Sequence, residues 1–211
     1  EGCKLVGVDA SGLELRMLAH YMNDKEYTDL ILHGDIHTYN QKAAGLETRN
    51  QAKTFIYAFL YGAGNEKIGS IAGGGERKGG QLKRAFRDAT QSLAKLIEKV
   101  QRFAKKGTLP GLDGRRVHVR SEHAALNTLL QSAGAIVMKQ ALVIAEEKLQ
   151  GLPYKLVAQV HDEFQVEVPE QYAERVGICF RNSIRQAGRD LELRCPLDGE
   201  YQIGTTWAYT H

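Results

Sequence analysis

The chain has 211 residues, enough for one large domain or two small ones with a sizeable core. It is 43% hydrophobic and 25% charged, as ordinary globular proteins are, and a net charge of +3 is too mild to announce a nucleic-acid binder by itself. Its three scattered cysteines fit neither a disulfide framework nor a zinc site and point to a reducing, cytoplasmic setting; no secretory leader opens the chain and no run of about 18 apolar residues marks a membrane span.

In chain order, KLVGVDASG (4–12) alternates and then turns at Asp9, which predicts a strand ending in a loop. Residues 12–22 space Leu15, Leu18 and Met22 as a helix does, and 25–34 predict a second short helix. A third covers 35–45, with Asp35 as N-cap and Gly45 as the stop. Residues 48–64 predict a longer helix, capped by Thr48 and ended by Gly62 and Gly64. GGGERKGG (73–80) reads as a flexible connector; it is no Walker phosphate loop, because no Gly-Lys-Ser/Thr opens the next helix.

A long helical stretch covers about 80–106, and TLPGLDGRRVHVR (108–120) predicts a hairpin turning at Asp113-Gly114. A long helix follows over 121–151 with Ser121 as N-cap. LVAQVHDEFQVEV (156–168) reads as strand, tight turn, strand, with His161, Asp162 and Glu163 at the turn. A helix over about 170–188 and a β-type tail complete the chain. Strands at both ends and helices between them predict one sheet built from distant pieces with a helical insertion, an α+β fold.

Lysines and arginines crowd the middle, from Lys78 to Lys106 and on through Arg115, Arg116 and Arg120. Such a surface could track phosphates or be a solvated helix face, and charge alone does not decide between them. A sharper pattern lies on the helix after Thr48. Arg49, Lys53, Tyr57 and Tyr61 recur every four residues, so they drift only about 40° per step and share one side. Cations at a helix start gain nothing from the macrodipole. Arginine and lysine can instead clamp a polyphosphate, and tyrosine can stack on a base; a surface helix with buried tyrosines remains the alternative. Asp9 and Asp162, each at a strand end, could hold two hard cations between them, although a lone Asp is more often a cap or turn residue.

Taken together and in order, DASGLELR (9–16), RNQAKTFIYAFLYG (49–62) and QVHDEFQV (159–166) resemble motifs A, B and C of the family A DNA polymerases. Arg49, Lys53, Tyr57, Tyr61 and Gly62 match motif B position for position. GDIHT, LDGRRVHVRS and HAALNTLLQSAGA resemble the replicative enzymes of T-odd podophages more than bacterial DNA polymerase I, and the resemblance spans essentially the whole chain.

The resemblance implies helical fingers inserted into an antiparallel palm sheet: palm over 1–22 with motif A, fingers over about 23–130, palm over 131–211 with motif C. It implies that the family's thumb and exonuclease region lie outside this sequence, so that the chain is a fragment or one subunit of a split polymerase. It implies nucleotidyl transfer of a dNTP to a primer 3′-hydroxyl by two Mg²⁺ ions, held by Asp9 and Asp162, with the carbonyl of Ala10 and with Glu163 as secondary ligand or organiser. Arg49, Lys53 and His37 would grip the triphosphate, with Lys53 also a candidate acid for the leaving group. Tyr57 would stack near the incoming base and sugar, and Glu14 would exclude a 2′-hydroxyl. A Tyr rather than a Phe at 57 implies ready acceptance of dideoxynucleotides. Tyr61 and Gly62 would flank the template base; His123, Asn127 and Gln131 would face the primer–template minor groove, and His161 the primer terminus. The implied partners are primer–template DNA, a dNTP and the thumb- or exonuclease-bearing portion, with no membrane; if phage-encoded, the setting is the host cytoplasm. WAYTH at the C-terminus implies a native chain end with His211 near the site. Two rivals remain: a half that only binds nucleotide or a partner subunit until assembled, and an enzyme like the single-subunit RNA polymerases.

Overall fold

Alternation decides the sheet. In β1 (Cys3–Ala10) Val6 and Val8 are fully buried on one face, while Leu5, Gly7 and Asp9 lie on the other. The computed structural model, which describes residues 2–211, divides by contacts into two units: residues 1–17 with 132–211, and residues 18–131.

The first unit is built on a four-stranded antiparallel sheet of order β4-β5-β1-β6, made of β4 (Lys155–Val160), β5 (Glu163–Pro169) and β6 (Gly199–Gly204) around β1. Asp9 pairs with Glu163 on one side and Glu200 on the other; Gly7 pairs with Gln165 and Gln202. One face packs on α9 (Ala173–Asp190), where the Phe164 and Phe180 rings lie 5.2 Å apart. Val176, Phe180 and Ile184 of α9 are fully buried against the strand residues Val6, Val8, Phe164 and Val166. Burial of this kind makes truncation of Phe180 to alanine cost about 3–5 kcal/mol. The outer strand β4 leaves Leu156, Val157 and Val160 exposed.

The second unit is helical. After α1 (Leu13–Met22), which begins in the sheet unit, come α2 (Lys25–His33), α3 (Ile36–Ala44), α4 (Arg49–Leu60), α5 (Asn65–Ile71), α6 (Glu76–Ala89) and α7 (Gln91–Ala104). Asp35 caps α3, and Gly45 ends it at φ 72°. Thr48 caps α4 in a reciprocal box with Gln51. Phe55 and Phe59 of α4 meet Phe86 of α6 edge-on at 5.3 and 5.4 Å, forming the aromatic core of this unit. A small hairpin, β2 (Thr108–Pro110) with β3 (Arg116–His118), turns at Gly114 (φ 83°).

One expectation fails here and another is refined. The glycine-rich stretch 73–80 is not a flexible connector: its second half is the first turn of α6, and α5 precedes it. A Cβ on Gly79 would collide with the Asn65 carbonyl and one on Gly69 with the Gly75 carbonyl. These glycines let two helices touch backbone to backbone. The stretch 80–106 is helical as expected, but as two helices that meet at Thr90, which is buried and serves both ends.

The long helix α8 (Ala125–Lys148) begins in the helical unit and runs into the sheet unit. With its leading turn it is long and apolar enough to cross a membrane by length and composition, which the sequence reading did not foresee. Its apolar stretch is 56% buried inside the protein, where Ala133, Val137, Ala141 and Ala145 belong to the core.

Candidate active site

The sheet gathers its carboxylates at one end. Asp9 is the next-to-last residue of β1, opposite Glu163 and Glu200, and the Ala10 amide donates to the Asp162 carbonyl at 2.9 Å. A cleft of about 210 Å³ opens there, lined in part by Gly7, Asp9, Glu163, Glu200 and His211. Partial burial, then Asp162, Glu163 and Glu200, push the Asp9 carboxyl up to about 6, while His211 opposes the shift. The strands thus concentrate negative charge from three distant segments.

The turn that presents Asp162 is tight. Val160 pairs with Glu163, which leaves only His161 and Asp162 to reverse the chain. His161 sits at φ 51°, a conformation that two-residue hairpins normally assign to glycine or asparagine. A bulky side chain held there stores local strain.

Glu163 is not open to the cleft in the way Asp9 is. It is 5% exposed. Its Oε1 accepts from the Trp207 indole at 3.0 Å and from the Gln165 amide, and its Oε2 lies 2.6 Å from His211 Nδ1. Thr210 Oγ1 donates to Gln165 Oε1 at 2.8 Å. The C-terminal residues therefore fold over the non-helical face of the sheet and use up both oxygens of Glu163. Behind the site, Arg16 donates to the carbonyls of Ser11 and Pro196, and the Ser11 amide donates to the Asp198 carbonyl at 3.0 Å. Asp198 is gripped by both Arg181 and Arg185. Arg16 is thus a brace for the turn after Asp9.

Within the helical unit, α4 carries Arg49 and Lys53 exposed and Tyr57 half-buried. Arg49 Nε donates to Asp35 at 2.8 Å. His37 lies in the first turn of α3, its basicity lowered by burial first, then by Arg49 and Lys53. Its Nδ1 is buried without a hydrogen-bond partner. A bare lone pair there costs less than an orphaned N–H, which favours the proton on Nε2. His37, Arg49 and Lys53 therefore form one cationic, donor-rich group.

At the far end of α4, Tyr61 caps the helix and is half-exposed, and Gln131 Nε2 reaches its hydroxyl at 3.5 Å. Gly62 takes φ 74°, and a Cβ there would lie 2.8 Å from the His123 carbonyl. Tyr61, Gly62, His123 and Gln131 are thus neighbours, and Asn127 lies one turn before Gln131 on α8. Glu14 is half-buried in the first turn of α1.

Hard oxygen donors and excess negative charge at Asp9 and Asp162 suit Mg²⁺, which keeps several waters and needs few protein ligands. Among the described residues no group of three or more His, Cys, Asp or Glu is arranged as a complete metal cage. Sequence reasoning missed Gly7, Gln165 and Glu200 around this end of the sheet. Their only signal was polar or small residues alternating with apolar ones on β1, β5 and β6.

Residues 1–209 match the family model described as DNA polymerase family A. The chain is 47% identical to the DNA-directed DNA polymerase of Escherichia phage T7 over 97% of its length and 33% of that protein. It is 38% identical to the DNA-directed DNA polymerase of Escherichia phage Phieco32, over 98% of its length and 40% of that protein. It is 29% identical to the thermostable DNA polymerase I of Thermus thermophilus, over 98% and 27%. The chain spans about a third of the length of such phage relatives. In fold it superposes on the POL domain of Pol1 from M. smegmatis, solved in complex with DNA primer-template and dNTP, with a TM-score of 0.86. That match is 23% identical and covers 100% of this chain and 41% of that one.

Proposed function

The chain belongs to DNA polymerase family A, and from that premise we propose that it supplies the nucleotidyl-transfer residues of a template-directed DNA polymerase. The observation that carries the reading is the gathering of Asp9, from β1, and Asp162 and Glu163, from the turn between β4 and β5, at one end of the sheet. In this reading residues 1–22 and 131–211 act as palm and 23–130 as fingers. The chain works as a piece of a longer polymerase or as one subunit of a split one, in the cytoplasm, with primer–template DNA and dNTP as partners.

Asp9 and Asp162 would hold two Mg²⁺ ions, with the Ala10 carbonyl as a further donor. Bound there, the ions supply Lewis-acid activation of the primer 3′-hydroxyl and neutralise charge on the leaving pyrophosphate. Glu163 acts as organiser rather than ligand, because both its oxygens are already engaged. Arg49 and Lys53 bind the triphosphate as fork and point charge. His37 donates from Nε2, and Lys53 delivers a proton to the leaving oxygen. Tyr57 stacks on the incoming nucleotide, and Glu14 closes the space a 2′-hydroxyl would need. Tyr61 and Gly62 face the template base. His123, Asn127 and Gln131 read the minor-groove acceptors common to all base pairs, and His161 touches the primer end.

The test is Mg²⁺-dependent primer extension by the polypeptide that carries this chain, beside Asp162→Asn. Loss of extension in the variant, with an unchanged melting temperature, is the expected result. Extension that survives the substitution removes Asp162 from the mechanism. Dideoxynucleotide discrimination by Tyr57→Phe should rise; equal discrimination sinks that assignment.

A further inference from the structure

Resting on the reading of Arg49 and His37 as triphosphate ligands, we infer that Asp35 is the positioning residue for both. One carboxylate ties the turn that carries His37 to the helix that carries Arg49, and leaves the terminal nitrogens of Arg49 for the phosphates.

The carboxylate takes four hydrogen bonds. Oδ1 accepts from the His37 amide at 3.1 Å and the Thr38 amide at 3.3 Å, which caps α3. Oδ2 accepts from Thr38 Oγ1 at 2.7 Å and from Arg49 Nε at 2.8 Å. Capping explains only the first oxygen. The second reaches a residue on another helix, which capping does not require.

Arg49 is bound through its inner nitrogen. The two terminal nitrogens carry the N–H groups that match two phosphate oxygens at once. A free arginine must freeze several bonds when it grips a phosphate, whereas one already anchored has lost part of that freedom. The connection between the helices is itself stiff: Gln41 donates to the Glu47 carbonyl at 2.8 Å, and Thr48 and Gln51 close the box that starts α4. Arg49 and then Thr38 hold the Asp35 carboxyl well below the usual carboxylate range, so it stays ionised throughout neutral pH. The opposing effect is repulsion between Asp35 and the bound polyanion. The pair is half-exposed, with side chains 52% and 44% accessible, so solvent and salt weaken that repulsion.

The experiment measures equilibrium binding of inorganic tripolyphosphate and of a dNTP to the chain, with melting temperature alongside. The variants are Asp35→Asn, Asp35→Ser and Arg49→Ala. Asparagine and serine both cap helices well, but neither can also offer Arg49 a charged oxygen. Asp35→Asn and Asp35→Ser should melt within about 2 °C of the parent and bind roughly three- to tenfold more weakly, with Arg49→Ala weaker still. In primer extension the loss should fall on KM for dNTP with kcat held, the pattern of lost uniform binding. If Arg49→Ala weakens binding but both Asp35 variants bind as the parent does or more tightly, this inference is overturned and the triphosphate reading stands. If the Asp35 variants lose binding only in step with their melting temperature, Asp35 is a structural cap and the inference is overturned too. If Arg49→Ala binds tripolyphosphate normally, the triphosphate reading falls and takes the inference with it.

Discussion

No side chain fits between Gly7 and Thr210. A Cβ on Gly7 would overlap the Thr210 carbonyl oxygen and lie 2.6 Å from Gln165 Nε2. The middle of β1 is therefore the seat of the C-terminal residues, and those residues hold Glu163. Gly7→Ala should unseat them at a cost of at least about 2 kcal/mol. The chain's one tryptophan, Trp207, reports the event directly, since its indole donates to Glu163. Its emission should shift to the red in Gly7→Ala at temperatures where the far-ultraviolet signal is still native. An unshifted spectrum would mean that the tail stays seated.

Asp9 carries a cost to the fold when no cation is bound. Its folded value of about 6 lies above the ordinary 3.8, so the folded chain holds a proton that the unfolded chain releases. That stabilising difference is complete below about pH 4 and is lost as pH rises through 6. Asp9→Asn should therefore raise the melting temperature of the metal-free chain at pH 8 by about 2–4 °C, once solvent screening is allowed for. The gain should vanish near pH 3. Scanning calorimetry at the two pH values decides it, and destabilisation at pH 8 would contradict it.

Asp198 has the opposite sign. The Arg185 hydrogen bonds first, and Arg181 with them, hold its carboxyl well below the usual range. Its contribution is present above its unfolded value, near pH 4, and is lost as pH falls toward the folded one. Asp198→Asn should melt below the parent at pH 7, and the gap should narrow steadily as pH falls from about 4 toward 2. Because Asp198 also anchors the segment behind Ser11, the variant should bind Mn²⁺ at the carboxylate cluster more weakly in a magnetic-resonance titration. Parallel melting curves at every pH would remove the ion pair from the account.

His161→Gly removes a side chain from a backbone that favours glycine (φ 51°). The expected result is a gain of about 1 kcal/mol in stability, together with slower primer extension. A loss of stability would show that the imidazole contributes more to the turn than its conformation costs.

Much of this was legible in the sequence because it is local. The Asp35 and Thr48 caps, the Gly45 stop and the Asp113-Gly114 turn depend on a few consecutive residues, and alternation marked the strands on which Val6, Val8, Phe164 and Val166 are buried. The three motifs led to the carboxylates and to the cationic stripe. What could not be read depends on residues far apart in the chain. Glycines at 69 and 79 look like flexibility until a second helix is found lying on them. Nothing near Gly7 announces Thr210, and nothing near Arg49 says that a helix cap already holds its guanidinium. At Thr90 the backbone leaves helical geometry (φ −121°, ψ 77°) where periodicity alone would continue the helix.

The pairing of β1 also sets an order of events during synthesis. This strand is made well before its neighbours β5 and β6, which follow the whole helical segment. The contiguous segment Leu18–Gln131 can complete its own contacts first, before Val6 and Val8 gain β5 and β6 as neighbours. Pairings between such distant segments close slowly. Asp9, Asp162 and Glu163 therefore come together only once β5 has been made, and a ribosome that stalls before β5 leaves formed helices beside a β1 that lacks the strands it pairs with here.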